Sequence, residues 1–240
     1  MSQHASTHFA LCDRARRCFN APTMRLLTSI AFASSLLVSS AALANDAPKP
    51  KPAEAAPATA TVGKAAPDFT LKDLAGKDVK LSSFKGKVVV LEWFNPGCPY
   101  VKKSHTVGSL VDTAKKHQAK GVVWLSINSG AAGKQGAALA ENTEAVKTFA
   151  MTNPILKDEA GTVGKAYGAT NTPHMFVIDK KGVLQYAGAI DNSPDGEQKS
   201  APDGKLVNYV DDAVADLTAG KPVRVATSKA YGCGVKYADK

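Results

Sequence analysis

VVVLEWFNPGCPYVKKSH, residues Val88 to His105, decides the reading of this chain. The apolar run Val88 to Leu91 has the composition of a strand buried on both faces. Asn95, Pro96 and Gly97 then turn the chain and place Cys98 at the mouth of a helix, with Pro99 at the first helical position, where its missing N–H costs nothing. Strand, sharp turn, cysteine and helix in that order favour a reactive thiol. Free N–H groups and the positive end of the helix dipole stabilise a thiolate and can bring a cysteine pKa from about 8.5 to roughly 3.5–7.5. Taken alone, an unpaired cysteine is more often a small buried hydrophobe, so the case for Cys98 rests on its surroundings.

Outward from this stretch the pattern alternates strands and helices. On the N-terminal side, Phe69 to Lys72 and Asp78 to Leu81 read as a hairpin turning at Ala75-Gly76-Lys77. On the other side, a helix from Cys98 carries Val101, Ser104, Val107, Gly108, Val111 and Ala114 on one stripe and is expected to run to just before Gly121. Val122 to Ile127 is a second buried strand, and a Gly/Ala loop from Ser129 to Gly136 leads to a helix over Glu141 to Met151 that stops at Asn153-Pro154. A short helix over Thr162 to Tyr167 ends at Gly168. Asn171-Thr172-Pro173-His174 then introduces a strand, Met175 to Asp179, hairpinned to Val183 to Ala189. After a polar loop, Asp191 to Gly204, the apolar positions from Leu206 to Leu217 predict a last helix, and residues 221–240 form a tail holding Cys233.

The N-terminus has a different character. From Met24 to Ala44 one basic residue precedes an apolar, small-residue core that closes on Ala42-Leu43-Ala44, a pattern for signal-peptide cleavage after Ala44. Met24 is itself an alternative start, which would make residues 1–23 a mis-annotated beginning. Residues 45–62, rich in Ala, Pro and Lys, read as a flexible linker, and the folded domain is expected over 63–220. Removal of residues 1–44 takes Cys12 and Cys18 with it and leaves 26 basic against 20 acidic side chains, a formal charge of +6. The excess lies in scattered lysine pairs with no aromatic or arginine-rich stripe, which argues against a nucleic-acid surface. The membrane is expected to be met only through the transient signal, and the location is periplasmic or secreted. Two cysteines, Cys98 and Cys233, then remain in a disulfide-permissive compartment: too few for a stapled scaffold and enough for one redox couple.

The motifs EWFNPGCPYV and NTPHMFVIDKKGVLQYAG, in this order of elements, resemble the thioredoxin superfamily. The opening APDFTLKDLAGKDVKLSSFKGKVVVLEWF and the terminal YGCGVKY are similar to its redoxin branch, peroxiredoxin-like in type, which includes alkyl hydroperoxide reductase and thiol-specific antioxidant proteins. The resemblance implies an α/β fold, a thioredoxin-like three-layer sandwich whose central mixed β-sheet is flanked by helices, with an N-terminal β-hairpin extension. It implies Cys98 as the attacking thiolate, Pro173 as a cis-proline beside that sulfur, and Thr172 as the backbone partner of an extended substrate, with Pro99 and Tyr100 beside the groove. Glu92 stands where thioredoxins place a buried carboxylate that handles the proton of the second thiol. There it has either a raised pKa suited to a general base or a place at a strand end reaching solvent. The chain departs from both patterns: Val101 stands where a Cys-x-x-Cys motif has its second thiol, and Asn95 stands where a peroxiredoxin has threonine.

To turn over, a thiolate needs a second thiol, and Cys233, the only other one after Ala44, lies between two glycines in a tail free either to fold back over Cys98 or to reach a second subunit. Its alternatives are a free or buried thiol and a structural disulfide, worth about 4–5 kcal/mol across so long a loop. His174 is expected within reach of Cys98, as an imidazolium that lowers the thiol pKa. His105 and His117 read as surface residues, and Trp93, Phe94 and Trp124 as core or groove wall. The sequence thus predicts a thiol-disulfide oxidoreductase acting on protein disulfides or dithiols, with a thiol peroxidase and a copper-delivery module as alternatives. Its electron donor is a thiol, and neither an organic cofactor nor a metal site is implied.

Overall fold

The computed structural model describes residues 59–193 and 195–239; the signal-peptide reading and residues 45–58 of the linker lie outside the described residues. The β-strands are β1 (Thr70–Asp73), β2 (Asp78–Lys80), β3 (Val89–Trp93), β4 (Val123–Asn128), β5 (Ile155–Lys157), β6 (Asn171–Thr172), β7 (His174–Ile178), β8 (Leu184–Gly188) and β9 (Cys233–Gly234). The helices are α1 (Pro99–Thr106), α2 (Thr113–Gln118), α3 (Leu139–Thr148), α4 (Thr162–Tyr167) and α5 (Tyr209–Thr218).

Seven strands form one mixed sheet in the order β2-β1-β5-β4-β3-β7-β8. The pairs β3–β4 and β4–β5 are parallel; β3–β7, β7–β8, β1–β5 and β1–β2 are antiparallel. Every side chain of β3 is buried, so the strand reads as a continuous apolar run broken only by Glu92. The period-2 alternation sends Val89, Leu91 and Trp93 to one face, where they meet Leu125, Ile127 and Phe176 beneath Val163 and Tyr167 of α4. Val88 and Val90 go to the other face, with Trp124, Met175 and Val177 under Val210, Ala213 and Val214 of α5. Phe94, Cys98, Val101 and Ile155 form a third apolar group with Ala145 of α3. This is the expected three-layer α/β sandwich with its hairpin extension.

The details differ from the sequence reading in three places. The long helix after Cys98 is broken: α1 ends at Thr106, where the N–H groups of Val107 and Gly108 both turn back to Lys103 O, at 3.0 and 2.9 Å. The Ser109 hydroxyl is drawn to buried Asp191, and Asp112 adopts a left-handed conformation, φ 53°. Val107 and Val111 are consequently exposed rather than on the core stripe, at 68% and 43%. Second, Ile155–Lys157, to which the sequence reading assigned no element, is the strand that joins the N-terminal hairpin to β4. The tail takes the first of its two expected courses and folds back across the domain. The Ala187–Thr227 bridge and the Ser228 hydroxyl, bonded to Tyr186 Oη and Ala189 N, hold its first part, and β9 pairs with β6. Third, the N-terminal segment packs earlier than expected, since Ala60 N–H bonds to Ala166 O at 2.8 Å.

Candidate active site around Cys98

The turn that carries Cys98 is built by Asn95. Its Oδ1 accepts the Gly97 N–H at 2.8 Å, its backbone carbonyl accepts the Cys98 N–H at 3.0 Å, and its Nδ2 donates to Gln135 O at 3.1 Å. Gln135 returns the contact by donating from Nε2 to Gly97 O at 3.1 Å. Gly136, at φ 75°, lies so close that an added Cβ would overlap Asn95 Oδ1. Asn95 is therefore a positioning residue for the turn, with its carbonyl oxygen and one amide hydrogen already engaged, rather than a free donor aimed at a substrate.

Cys98 is the N-cap of α1 and Pro99 follows at its start. The sulfur has no exposed surface. As a thiol it donates to Thr172 O at 3.0 Å, immediately before the cis Thr172–Pro173 bond. Antiparallel pairing sets Thr172 opposite Cys233, so the tail brings the second thiol to the first across 135 residues of chain. Burial opposes charge on Cys98, but hydrogen bonds from the Cys233 thiol, from the Val101 and Cys233 N–H groups and from Thr172 outweigh it and hold the thiol below its ordinary range. Cys233 is pushed up to about 11, first by burial and then by its hydrogen bond to Cys98 and the charge there. Both cysteines are free thiols, Cys98 buried and Cys233 partly exposed. Of the two thiols, Cys98 is therefore the one that gives up its proton first.

Glu92 corrects both of its expected readings. It is fully buried, not at a solvent-reaching strand end, and its carboxyl lies below, not above, the usual range. Burial pushes toward protonation, but the charge and hydrogen bond of His105 and hydrogen bonds from Trp124 and Ser126 prevail. The distances are 2.6 Å to His105 Nε2, 3.1 Å to Trp124 Nε1 and 3.0 Å to Ser126 Oγ, and neither thiol is among its hydrogen-bond partners. His105, expected on the surface, has a side chain only 6% exposed and pins α1 to β3. His117 is likewise buried, 2.5 Å from Asp211 and stacked on Trp124.

His174 also departs from expectation. Burial lowers its pKa to about 4, so the ring is neutral at pH 7 and supplies no positive charge to Cys98. Its Nδ1 accepts the Thr170 N–H at 3.4 Å and its ring lies 4.5 Å from that of Phe176. Tyr100 is 42% exposed, with its ring 6.2 Å from Tyr231. Among the described residues no three His, Cys, Asp or Glu side chains converge as metal ligands would. Trp93, Phe94 and Trp124 are core.

The sequence reading missed the residues that seat the tail. Gly232, at φ 106°, passes so close to Thr172 O that no side chain fits. Asn171 Nδ2 donates to Gly232 O at 3.1 Å, Tyr231 Oη to buried Asp191 at 2.9 Å, and Tyr237 Oη to Ala169 O at 2.8 Å. The two tyrosines either side of Gly-Cys-Gly, Tyr231 and Tyr237, were the available signal, since aromatic residues spaced along a tail are anchors in want of a surface.

Comparison with known proteins fits this geometry. The family model described as Redoxin matches residues 61–206. The thiol-disulfide oxidoreductase ResA of Bacillus thuringiensis subsp. konkukian is 31% identical over 125 residues, covering 50% of this chain and 65% of that protein. Chloroplastic peroxiredoxin Q of Triticum aestivum is 32% identical over 135 residues, covering 52% and 57%. The chain therefore spans somewhat less than two thirds of the length of these two relatives. A hypothetical protein of Sinorhizobium meliloti has a solved structure that superposes with a TM-score of 0.66 at 27% identity, covering 77% of this chain and 98% of that one.

Proposed function

The chain belongs to the redoxin family of the thioredoxin superfamily, and from that membership and the packing of Cys233 against the group around Cys98 we propose that it is an exported thiol-disulfide oxidoreductase in which Cys98 attacks and Cys233 resolves. The observation that carries this reading is the β6–β9 pairing, which brings Cys233 to the apolar group around Cys98 without a Cys-x-x-Cys motif. The Cys98 thiolate attacks one sulfur of an external disulfide, whose S–S bond breaks and whose other sulfur leaves as a thiolate and takes a proton from solvent. Cys233 then attacks the mixed disulfide, loses its proton to solvent, and releases the second external thiol. Two protein thiols are oxidised and one external disulfide is reduced to two thiols.

The order is built into the charges. The Cys98 thiolate helps to hold Cys233 protonated, so Cys233 is a poor nucleophile until Cys98 is consumed. Once Cys98 is part of a mixed disulfide its charge is gone, the Cys233 pKa falls, and the second attack proceeds. Glu92 and His105 hold the floor beneath α1, and the Val101 N–H in the first turn of that helix faces the sulfur. Export rests on the sequence of residues 24–44.

A second reading, thiol peroxidase, is favoured by the position of the resolving thiol in a tail and by the peroxiredoxin relative. Cys98 would take one peroxide oxygen as a sulfenic acid, releasing an alcohol or water, and Cys233 would displace water to form the same disulfide. Against speed in that role, Asn95 is engaged in the turn and Arg224, the sole arginine after Arg25, is tied to Asp212 and Asp216. Reduced protein mixed with a small disulfide or with hydrogen peroxide, followed by mass spectrometry, tests both. The reading expects loss of two hydrogens, a mapped Cys98–Cys233 link, and an adduct trapped on Cys98 in Cys233→Ser. An adduct trapped on Cys233 in Cys98→Ser at an equal rate refutes the assignment of roles.

A further inference from the structure

Whatever stands opposite Thr172 is delivered to Cys98, because the Thr172 carbonyl is 3.0 Å from that sulfur. β6 lies outside the seven-stranded sheet, and its backbone edge is the kind of surface to which an extended peptide adds as a strand. The chain's own residues already hold that edge. Cys233 pairs with Thr172 and Gly234 with Asn171, the Val235 N–H bonds to Thr170 O at 3.0 Å, and Lys236 O accepts the Ala131 N–H at 2.8 Å. Tyr237 closes the run on Ala169. Beneath this strand Cys98 is sealed from solvent, while Cys233 is partly exposed.

We propose that residues 232–237 are a resident strand standing where a cysteine-bearing polypeptide would pair, so that this site serves small disulfides or hydroperoxides and turns away polypeptide disulfides while the strand is docked. The proposal rests on the reading of Cys98 and Cys233 as a redox pair. A small oxidant needs only the Cys233 side chain to swing aside. A polypeptide needs the backbone bonds of β6, and those are released only when the whole segment lifts.

The test uses the full chain carrying Cys233→Ser, which keeps the strand and stops the reaction at a mixed disulfide on Cys98. Two probes share one leaving group: cysteamine activated as its thiopyridyl disulfide, and an unstructured peptide with one cysteine activated in the same way. In each case the Cys98 thiolate displaces pyridinethione. The small probe is expected to react at least about tenfold faster. Adding Gly232→Val, which places a side chain against Thr172 O, or separately Tyr237→Ala, is expected to bring the two rates together by accelerating the peptide. Equal rates in the docked chain overturn the proposal. So does an unchanged ratio in variants whose amides at 233–237 exchange freely with solvent. Failure of both probes in every variant refutes the redox reading itself and the proposal with it.

Discussion

Glu92→Gln isolates the charge beneath the active-site helix. The substitution keeps the shape of the side chain and removes one partner of a fully buried pair whose members lie 2.6 Å apart. Loss of one member of such a pair costs about 3–5 kcal/mol, because the other is left buried without its counter-charge. For a domain of this size that corresponds to a fall in Tm of about 6–20 °C. The pH dependence is the sharper part. Glu92 has a folded-state pKa below its ordinary value, so its contribution is present above the unfolded-state pKa of about 4.3 and is lost as pH falls toward the folded one. In that window the gap between wild type and variant is expected to close by about 1.4 kcal/mol per pH unit. His174, whose ring stays neutral in the fold down to about pH 4, titrates alike in both proteins and cancels in the gap between them. Urea melts of both proteins at a series of pH values from neutral to acid measure it. A gap below about 1 kcal/mol near pH 5, or one that widens on acidification, would show that the carboxyl is protonated in the fold and that the pairing argument is wrong.

Cys233→Ala removes the thiol hydrogen bond to Cys98 and is expected to raise the Cys98 pKa, read as a shift of the thiolate absorbance titration to higher pH; a shift to lower pH would contradict the assigned proton. Gly136→Ala forces a Cβ onto Asn95 Oδ1 at a positive φ and is expected to cost about 1–3 kcal/mol in a denaturant melt. Because Asn95 holds the Gly97 N–H, the same variant is expected to slow Cys98 adduct formation. Asn208→Ala removes the side-chain acceptor of the Asp211 N–H at the start of α5 and is expected to cost about 1 kcal/mol. Its Cys98–Cys233 link should form at the wild-type rate, which makes it the control for a purely structural loss.

The fold was legible where one residue type governs one local event. The apolar run before Asn95, the proline after Cys98 and the Gly182 hairpin each act within a few residues, and each appears where the pattern placed it. What stayed hidden depends on partners far away in the chain. His105 sits in Lys-Lys-Ser-His on a helix that looks solvated, and only the approach of α1 to β3 and of Phe149 to its ring shows that it faces inward. β5 is three residues long, too short to display any period. The broken helix followed from Asp191, 82 residues from Ser109, to which that hydroxyl turns.

Cys233 shows the limit most clearly. Counting thiols named it as the partner of Cys98, but a count carries no geometry. Two glycines around a cysteine left the tail free to fold back over Cys98 or to reach a second subunit, and in the fold Gly232 is the residue whose missing Cβ lets the backbone reach Thr172 O. The same glycine that suggests mobility is what permits a close, hydrogen-bonded contact. The edge of β6 beside the cis-proline is covered by this same segment. Here the cover carries the second thiol, so the segment that completes the redox pair is also the one that limits what can reach it.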